Sequence, residues 1–460
     1  MRIEEEYLRS GFFWIPGEEH SKIPGKLSVT DGGVIELEII GHFNNDISSI
    51  QDYKLPRIVG DVEKDGLVTL DNCFYKNKNI AFGGVSKSIV AVNKMLAGAA
   101  WDIDEPITFN TFHFSIDCLE EWVGISGIKI NTDHINKRST IVYQSPENIT
   151  LPLDNGMTLE ICFSSRLPAQ ANTAEATISQ KVYFKLISPK LIELDQFTTA
   201  AFKITNLMCF ATDEIVSLKH VSATSTDLQE LIEDQRYPAP ISLYYQSHPF
   251  SIKKPKKNWR EMLFCFTSIH SNAQQVFNNW FNAYEYLEPA INLYFSTKTG
   301  GHKYLEGKFL ALAQGLETYH RRTSNTTLMN PEIFEKVTSQ ILESCPECHR
   351  DWLEGRIKHG NEVNLGKRLK SIIEPFKDHL GTSAKRSKML RQIVDTRNYL
   401  THYSENLSDI SATGTDLWNL CMKMEVIFKL HFLKVIGFTS DEISSIIENH
   451  YPMKYMLQEI

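Results

Sequence analysis

The spacing of apolar residues changes once along the chain, near residue 250, and this change limits the folds that are open to it. Before that point apolar residues alternate with polar ones, as in residues 112–116, or form short β-branched and aromatic runs. After it they recur at three- and four-residue steps, as in residues 305–319. A period of two is typical of strands and a period of about 3.6 is typical of helices. The sequence therefore predicts an α+β protein, with a β-rich N-terminal domain over residues 1–250 and an all-α helical bundle over residues 251–460.

Turn signals separate the segments of the first part that we expect to be strands. Residues 154–156 (Asp-Asn-Gly) lie between two apolar runs and are typical of a β-hairpin. One segment of this part, residues 86–100, is expected to form a helix instead. Many short strands with turns between them predict a sandwich or a curled sheet. The other expected strands are residues 34–40, 67–75, 107–116, 122–130 and 181–187.

The helical part follows a connector at residues 237–260 that is rich in proline and lysine. Its prolines interrupt regular structure, and an RNA-facing loop is the alternative interpretation of its basic run. In one of the helices beyond it, Ile393, Leu400 and Tyr403 share a face that is expected to pack into the bundle. A last helix is expected to begin at Thr439, where the sequence has the form of a capping box.

The composition excludes several classes of protein. With 42% hydrophobic and 23% charged residues, the chain is neither disordered nor collagen-like. Its eight cysteines are scattered, which favours reduced thiols over a disulfide scaffold. Residues 1–6 (MRIEEE) are acidic where a signal peptide would be basic, and no apolar run reaches the roughly 18 residues of a membrane helix. We therefore expect a soluble cytoplasmic protein without membrane contact.

Positive charge is concentrated in one stretch of an otherwise acidic protein. The net charge of −8 argues against a general nucleic-acid coat. Residues 367–397 nevertheless contain nine lysines and arginines against three acidic residues. Such a patch can bind phosphates at one site of an acidic protein. The charge alone leaves open a second interpretation, a solvated helix face.

Cys345 and Cys348 form one half of a zinc-binding motif. A tetrahedral site needs four ligands, and the second half could come only from dispersed residues such as His359 or Cys421. A cysteine-bearing loop without metal is the preferred interpretation, and structural zinc stays open. The sequence contains no paired CxxC motifs, no HExxH helix, no GxSxG elbow and no Walker-type loop.

Residues 397–402 (RNYLTH) follow the basic stretch and are the most informative segment. Arginine offers a permanent planar charge that suits a phosphate, and histidine exchanges protons near neutral pH. Asn398 and His402 are four residues apart on one helix face, so the amide is expected to orient the imidazole. Arg397 lies about 140° from His402 around the helix axis, so its long side chain would have to reach across. The spacing alone also fits a surface arginine with an incidental histidine.

In this setting the Arg397-Asn398-x-x-x-His402 pattern resembles the ribonuclease motif of HEPN domains. The layout of the whole chain resembles the ApeA-like subgroup, which joins a β-rich N-terminal domain to a C-terminal HEPN bundle. Residues 309–317 and 417–438 resemble the early and closing helices of that bundle. The resemblance implies an endoribonuclease of bacterial anti-phage defence that acts by abortive infection, with the N-terminal domain as its sensor or regulator.

The resemblance also implies a mechanism and partners. The RNA 2′-hydroxyl would attack the adjacent phosphate without a metal or other cofactor and leave a 2′,3′-cyclic phosphate. Arg397, His402 and Asn398 would be the catalytic residues, brought together with a second copy in a homodimer or higher homo-oligomer. Host or phage RNA, with transfer RNA as a candidate, would be the substrate, and a phage-derived component the trigger. The basic residues expected to bind RNA are Lys385, Arg386, Lys388 and Arg391.

A catalytically silent HEPN module that serves as a binding or scaffold domain is the alternative. The presence of both Arg397 and His402 argues against it, because a silent module has no evident need for the pair.

Overall fold

The computed structural model describes residues 1–43, 53–79, 84–168, 174–232 and 234–458. The chain divides into two compact units, Met1–Asn278 and Asn279–Ile460. The first is rich in strands and the second is helical, so the predicted α+β class is confirmed. The functional boundary after residue 250 stays a prediction, and residues 251–278 lie in the first compact unit.

Antiparallel strands make up most of the first unit. They are β1 (Tyr7–Trp14), β2 (Ile23–Thr30), β3 (Val34–Ile40), β4 (Lys54–Val62), β5 (Gly66–Asn79), β6 (Lys87–Ala97), β7 (Thr108–Ile116), β8 (Ile128–Asp133), β9 (Arg138–Tyr143), β10 (Ile149–Pro152), β11 (Thr158–Arg166), β12 (Ser179–Glu193), β13 (Leu218–Thr224), β14 (Gln229–Ile232), β15 (Gln235–Pro238) and β16 (Ile241–Tyr245). The predicted hairpin at residues 154–156 is confirmed, because it joins β10 to β11.

The large sheet curls on itself, in agreement with one of the two predicted architectures. Its strand order is β10-β11-β12-β7-β13-β16-β6-β3-β2-β1-β4-β5, and β5 also pairs with β6. The strands from β6 to β5 in that order therefore close into a ring. Alternate residues of a strand face the same side, so the ring encloses an apolar core. Its fully buried side chains include Phe13, Leu37, Leu70 and Val90.

Two predictions for this unit are wrong. Most of residues 86–100 form strand β6 (Lys87–Ala97) rather than a helix, because β3 and β5 supply hydrogen-bond partners along its edges. Tertiary pairing of this kind overrides a weak local preference. The predicted strand at residues 122–130 is wrong at its start, since Trp122 and Val123 belong to α1 (Leu119–Val123). Short apolar runs do not distinguish a buried helix from a strand.

A buried helix, α2 (Leu194–Thr212), is absent from the prediction. It packs on the large sheet, where Phe197 stacks on Phe112 of β7 with ring centroids 5.8 Å apart. Its residues from Ile204 to Thr212 are all buried, so this half of the helix lacks the one-sided apolar pattern of a surface helix. A short helix, α3 (Phe266–Ile269), is the last α-helix among the described residues that lies wholly within this unit.

The second unit is a helical bundle, as predicted. Its helices are α4 (Ala273–Ser296), which begins in the first unit, α5 (Leu305–Thr323), α6 (Pro331–Glu343), α7 (Glu347–Ile357), α8 (Leu365–Ile373), α9 (Ser383–His402), α10 (Gly414–Val435), α11 (Ser440–Asn449) and α12 (Tyr451–Gln458). The capping box before α11 is confirmed, because Thr439 and Glu442 exchange side-chain and backbone hydrogen bonds. Over the described stretches, no helix has the length and apolar character needed to cross a bilayer.

Helices α5 and α10 approach closely at the centre of the bundle. A Cβ atom on Gly315 would lie 2.8 Å from Cζ of Phe428, so a larger residue there would force the buried Phe428 ring to shift. Tyr294 of α4 packs edge to face against Phe432, with ring centroids 5.2 Å apart. Helix α9 lies against α5 and α8. The well-packed centre therefore gives α9 a fixed support.

Candidate active site

Helix α9 places residues 397–402 at its C-terminal end. At its start, the Thr382 hydroxyl accepts a hydrogen bond from the Lys385 N–H and so caps the helix. One face of α9 is buried in the bundle and fixes its rotation about its own axis. The residues of that face are Met389, Ile393 and Thr396.

The helix ends one residue earlier than the predicted apolar face. Tyr403 adopts the left-handed conformation, with φ of 51°, and its N–H donates to the Tyr399 carbonyl at 2.6 Å. Of the three residues expected to pack into the bundle, Ile393 is buried and Leu400 is half-buried. Tyr403 is 68% exposed, so its predicted burial is wrong. The reversal of the chain at Tyr403 turns its side chain out of the helical register.

Two neighbours contact the Arg397 guanidinium. Nη1 donates to Oδ1 of Asn398 at 3.3 Å, and Nη2 lies 3.8 Å from Oε2 of Glu317 on α5. The Arg397 side chain is 35% exposed, so it is steadied on one side and open to solvent on the other. The Asn398 amide thus contacts Arg397 and not His402, which is a correction to the predicted contact. The guanidinium is a charged donor, which makes a stronger hydrogen bond to an amide oxygen than a neutral donor does.

His402 is the last residue of α9 and is exposed. Its ring has no hydrogen-bond or ion-pair partner in the described part of the chain. The preceding residue, Thr401, donates its hydroxyl hydrogen to the Arg397 carbonyl at 2.7 Å. The imidazole therefore stands at the end of the helix with its ring open to solvent.

Three polar side chains of the candidate site share the face of α9 that points away from the bundle. Successive residues turn about 100° around a helix axis. Arg391, Asn398 and His402 consequently lie opposite the buried face defined above, whereas Arg397 lies to one side of them. A ligand or a second protein copy can approach this face without disturbing the core of the bundle.

A chain of ion pairs extends from Arg397 into the bundle. Glu317 accepts hydrogen bonds from Arg321 through Oε1, with Nη2 at 3.1 Å. Arg321 Nη1 lies 2.6 Å from Oε2 of Glu362, which also lies 3.4 Å from Nη2 of Arg368. Arg368 Nη1 lies 3.3 Å from Nδ1 of His320. The hydrogen bond from Arg321 lowers the pKa of the Glu362 carboxyl, so this link is ionised at neutral pH.

Sequence reasoning placed Arg368 in the basic stretch of residues 367–397 and did not single out the other four residues of this ion-pair network. The spacing of Glu317 and Arg321 was the available signal, because residues four apart on a helix pair readily. Glu362 lies 41 residues from Arg321 in sequence, and only the fold brings the two together.

The four predicted RNA-binding residues differ in their surroundings. Lys385, Lys388 and Arg391 are exposed, and none of the three has an ion-pair partner among the described residues. Arg386 instead donates to the carbonyls of Lys377, at 2.9 Å, and Gly381. Its guanidinium therefore secures the turn before α9, and only the other three present free cations.

Cys345 and Cys348 lie at the start of α7. Cys345 is half-buried, with Sγ 3.6 Å from the Pro346 carbonyl, and Cys348 is exposed. His359 and Cys421 are the residues considered for the second half of a zinc site. His359 contacts Glu362 at 2.8 Å, and burial raises the pKa of the Cys421 thiol to about 12. In the stretches that the structure describes, no three His, Cys, Asp or Glu side chains converge in a way that could bind a metal ion.

Two family models match the chain. Residues 9–280, more than half of the chain, match ApeA N-terminal domain 1. Residues 310–442 match the Apea-like HEPN domain, and this range includes Glu317, Arg397 and His402. No curated protein and no solved structure gives a match.

Proposed function

Since the chain belongs to the ApeA-like HEPN family of anti-phage proteins, we propose that it is a metal-independent endoribonuclease that cleaves RNA at Arg397 and His402. HEPN domains of this family are associated with ribonuclease-type defence, typically bind RNA and often dimerise. The observation that supports the proposal best is that one helix of the matched domain carries both an exposed His402 and an Arg397 held by Glu317 near its C-terminal end.

The chemistry of the two side chains suits internal transesterification of RNA. The 2′-oxygen forms a bond to phosphorus while the P–O5′ bond breaks, which leaves a 2′,3′-cyclic phosphate and a 5′-hydroxyl. An imidazole accepts the 2′-hydroxyl proton, and an imidazolium donates a proton to the departing 5′-oxygen; each transfer contributes about 10²–10⁴-fold. The Arg397 fork stabilises the charge that develops on the phosphoryl oxygens.

One chain supplies one such imidazole, whereas in-line transfer needs a base on one side of phosphorus and an acid on the other. We therefore place the active site between two copies of the chain, related by a two-fold axis near the exposed face of α9. An isologous contact brings each residue close to its own counterpart. Asn398 remains in this site as the residue that orients Arg397.

The biological role that follows is abortive infection. The first unit, which matches the ApeA N-terminal domain, would restrain the nuclease in the cytoplasm until a phage-derived component is sensed. Host or phage RNA would then be cleaved, and transfer RNA is one candidate. The exposed Lys385, Lys388 and Arg391 would bind the RNA backbone.

The test is incubation of purified full-length protein and its variants with total bacterial RNA. Arg397→Ala and His402→Ala should each abolish cleavage while folding and dimerisation persist. Arg397→Lys should also fail substantially, because an ammonium does not reproduce the planar fork. Matched controls are Arg322→Ala and His349→Ala, which remove an exposed arginine and an exposed histidine elsewhere in the unit.

Full RNA cleavage by Arg397→Ala or by His402→Ala would show that the active site is assigned to the wrong residues. A wild-type protein that binds RNA and leaves it intact in phage-infected extract would support the alternative, a silent HEPN module that acts as a scaffold.

A further inference from the structure

A cavity of about 480 Å³ lies in the second unit between α5, α8 and the end of α10. It is separate from His402 and is lined mainly by polar side chains. Pockets of this volume suit small ligands. The lining residues that bear on its chemistry are Tyr319, His320, Thr323, Ser371, His431 and Lys434.

On one wall of the cavity, the polar groups of Tyr319 and His431 already make hydrogen bonds within the protein. His431 Nε2 lies 2.9 Å from the Ile372 carbonyl, which can only accept, so Nε2 carries the hydrogen. His431 Nδ1 then accepts from the Tyr319 hydroxyl at 3.2 Å. Burial lowers the pKa of His431 to about 4, so this imidazole is neutral at pH 7. The pair Tyr319–His431 therefore shapes the cavity and has little capacity left for a ligand.

His320 leaves one donor unused. The side chain is 3% exposed, and Nδ1 lies 3.3 Å from the Arg368 guanidinium. A guanidinium only donates, so Nδ1 accepts and Nε2 carries the hydrogen. Burial lowers the pKa of this imidazole as well. Its Nε2–H has no partner among the described residues, and this donor belongs to a residue that lines the cavity.

The surroundings of the cavity are positively charged. Arg368, behind His320, is 4% exposed, and its Nε has no hydrogen-bond partner in the described residues. Its carboxylate neighbour, Glu362, is 3.4 Å away and is shared with Arg321. Lys434 is exposed and has no ion-pair partner in the described part of the chain. No described residue that lines the cavity is acidic. A buried cation without full compensation favours an anion beside it.

We propose that this cavity binds the phosphate group of a nucleotide. The Lys434 ammonium supplies the opposite charge, and the Ser371 hydroxyl and the His320 Nε2–H supply directed hydrogen bonds. The nucleotide is either a residue of bound RNA or a free nucleotide, since both present the same phosphate chemistry. In the first case the inference deepens the proposed function and rests on it.

The position of the cavity connects it to Arg397. The network of ion pairs and hydrogen bonds described above runs from the cavity to the guanidinium of Arg397. Its members, in order, are His320, Arg368, Glu362, Arg321 and Glu317. A phosphate that accepts from the His320 Nε2–H would make Nδ1 a stronger acceptor and so strengthen its hydrogen bond with the Arg368 guanidinium. Occupancy of the cavity would thus change the charge balance around the candidate catalytic arginine.

The test uses the full-length His402→Ala protein, which should leave RNA intact, in calorimetric titrations with AMP and with a short 2′-O-methyl RNA oligonucleotide. Lys434→Ala and Ser371→Ala change exposed positions and should not disturb folding. Each should weaken binding about tenfold, the effect of losing one hydrogen bond to a charged group. Lys336→Ala, which removes an exposed lysine of α6 outside the cavity, is the control and should change nothing.

Weaker binding of the oligonucleotide would identify the ligand as RNA, and weaker binding of AMP alone would identify a free nucleotide. Unchanged affinity for both ligands in the Lys434 and Ser371 variants would overturn the proposal. RNA cleavage is assayed in parallel with protein that retains His402. Nucleotide binding without RNA cleavage would contradict the proposed function and leave the phosphate site supported. RNA cleavage together with nucleotide binding that Lys434→Ala does not weaken would support the proposed function and contradict the phosphate site.

Discussion

At the scale of single residues, the position of Arg397 depends on a carboxylate from another helix. Glu317 contacts Arg321 through one oxygen and Arg397 through the other, so it links α5 to α9. A carboxylate of this kind limits the orientations of a guanidinium. Glu317 is consequently a positioning residue.

We predict that Glu317→Gln lowers kcat for RNA cleavage about 10- to 100-fold with little change in KM, because misplacement of a catalytic group by about 1 Å has an effect of this size. Glu317→Asp, which retains the charge, should recover part of the loss. Steady-state kinetics on a short RNA will measure both values, with Glu347→Gln, at the start of α7, as the control. A KM effect alone would show that Glu317 assists RNA binding instead.

The neutral, buried His431 makes the stability of the helical unit depend on pH. Its pKa is about 4 in the folded chain and about 6.5 when unfolded, so between these values the unfolded state binds more protons. Stability contributed by the neutral form is present above pH 6.5 and is lost as the pH falls toward 4. Linkage gives a loss of about 2 kcal/mol at pH 5 relative to pH 8.

We predict that His431→Gln, which does not titrate, removes this loss. Urea unfolding at pH 8 and pH 5 should show a difference between the two pH values that is about 2 kcal/mol smaller in the variant than in the wild-type protein. The same pH dependence in both proteins would show that other groups dominate acid destabilisation.

At the scale of elements, α9 was predictable and its C-terminal end was not. The apolar spacing of its buried residues and the polar stretch of residues 383–388 indicate a helix with one packed face. The left-handed stop at Tyr403 has no sequence signal, because this conformation favours glycine or asparagine. The roles of Arg386 and Glu317 depend on carbonyls and side chains that only the tertiary fold brings near.

The strands, too, were predictable where the sequence signal is local and were not where the element depends on tertiary packing. The predicted strand at residues 34–40 coincides with β3, whose alternation is plain, and the hairpin at residues 154–156 has a turn that selects its own geometry. Strand β6 contains a continuous apolar run at residues 89–92, and the second half of α2 is buried on all sides, so neither sequence shows a clear period. Sequence reasoning therefore gave the wrong element for β6 and no element for α2.

We predict that the exposed cations of α9 contribute to RNA affinity through their charge alone. The double variant Lys388→Ala/Arg391→Ala should weaken RNA binding for every sequence and reduce the slope of log K against log salt concentration by about 1.4, the value for two phosphate contacts to single-stranded RNA. Arg386→Ala, whose guanidinium is already bound to carbonyls, should leave the slope unchanged. Fluorescence anisotropy over a range of salt concentrations will distinguish the two outcomes.

At the scale of the whole molecule, the proposed active site belongs to two copies of the chain. We predict that mixing wild-type protein with an excess of the Arg397→Ala/His402→Ala double variant lowers the activity per wild-type protomer, roughly in proportion to the wild-type fraction. Heterodimers would contain one intact half-site and lack either the acid or the base. The same excess of serum albumin is the control. Constant activity per wild-type protomer would show that each chain carries a complete site.

The ends of the RNA fragments test the proposed chemistry most directly. Total RNA is digested with the full-length protein in excess EDTA, and the new termini are analysed by phosphatase, kinase and ligase treatment. We expect cleavage to persist, with 2′,3′-cyclic phosphate and 5′-hydroxyl ends that disappear in the His402→Ala digest. Fragments with 5′-phosphate ends and an absolute requirement for Mg²⁺ would contradict this mechanism and indicate catalysis by bound metal ions.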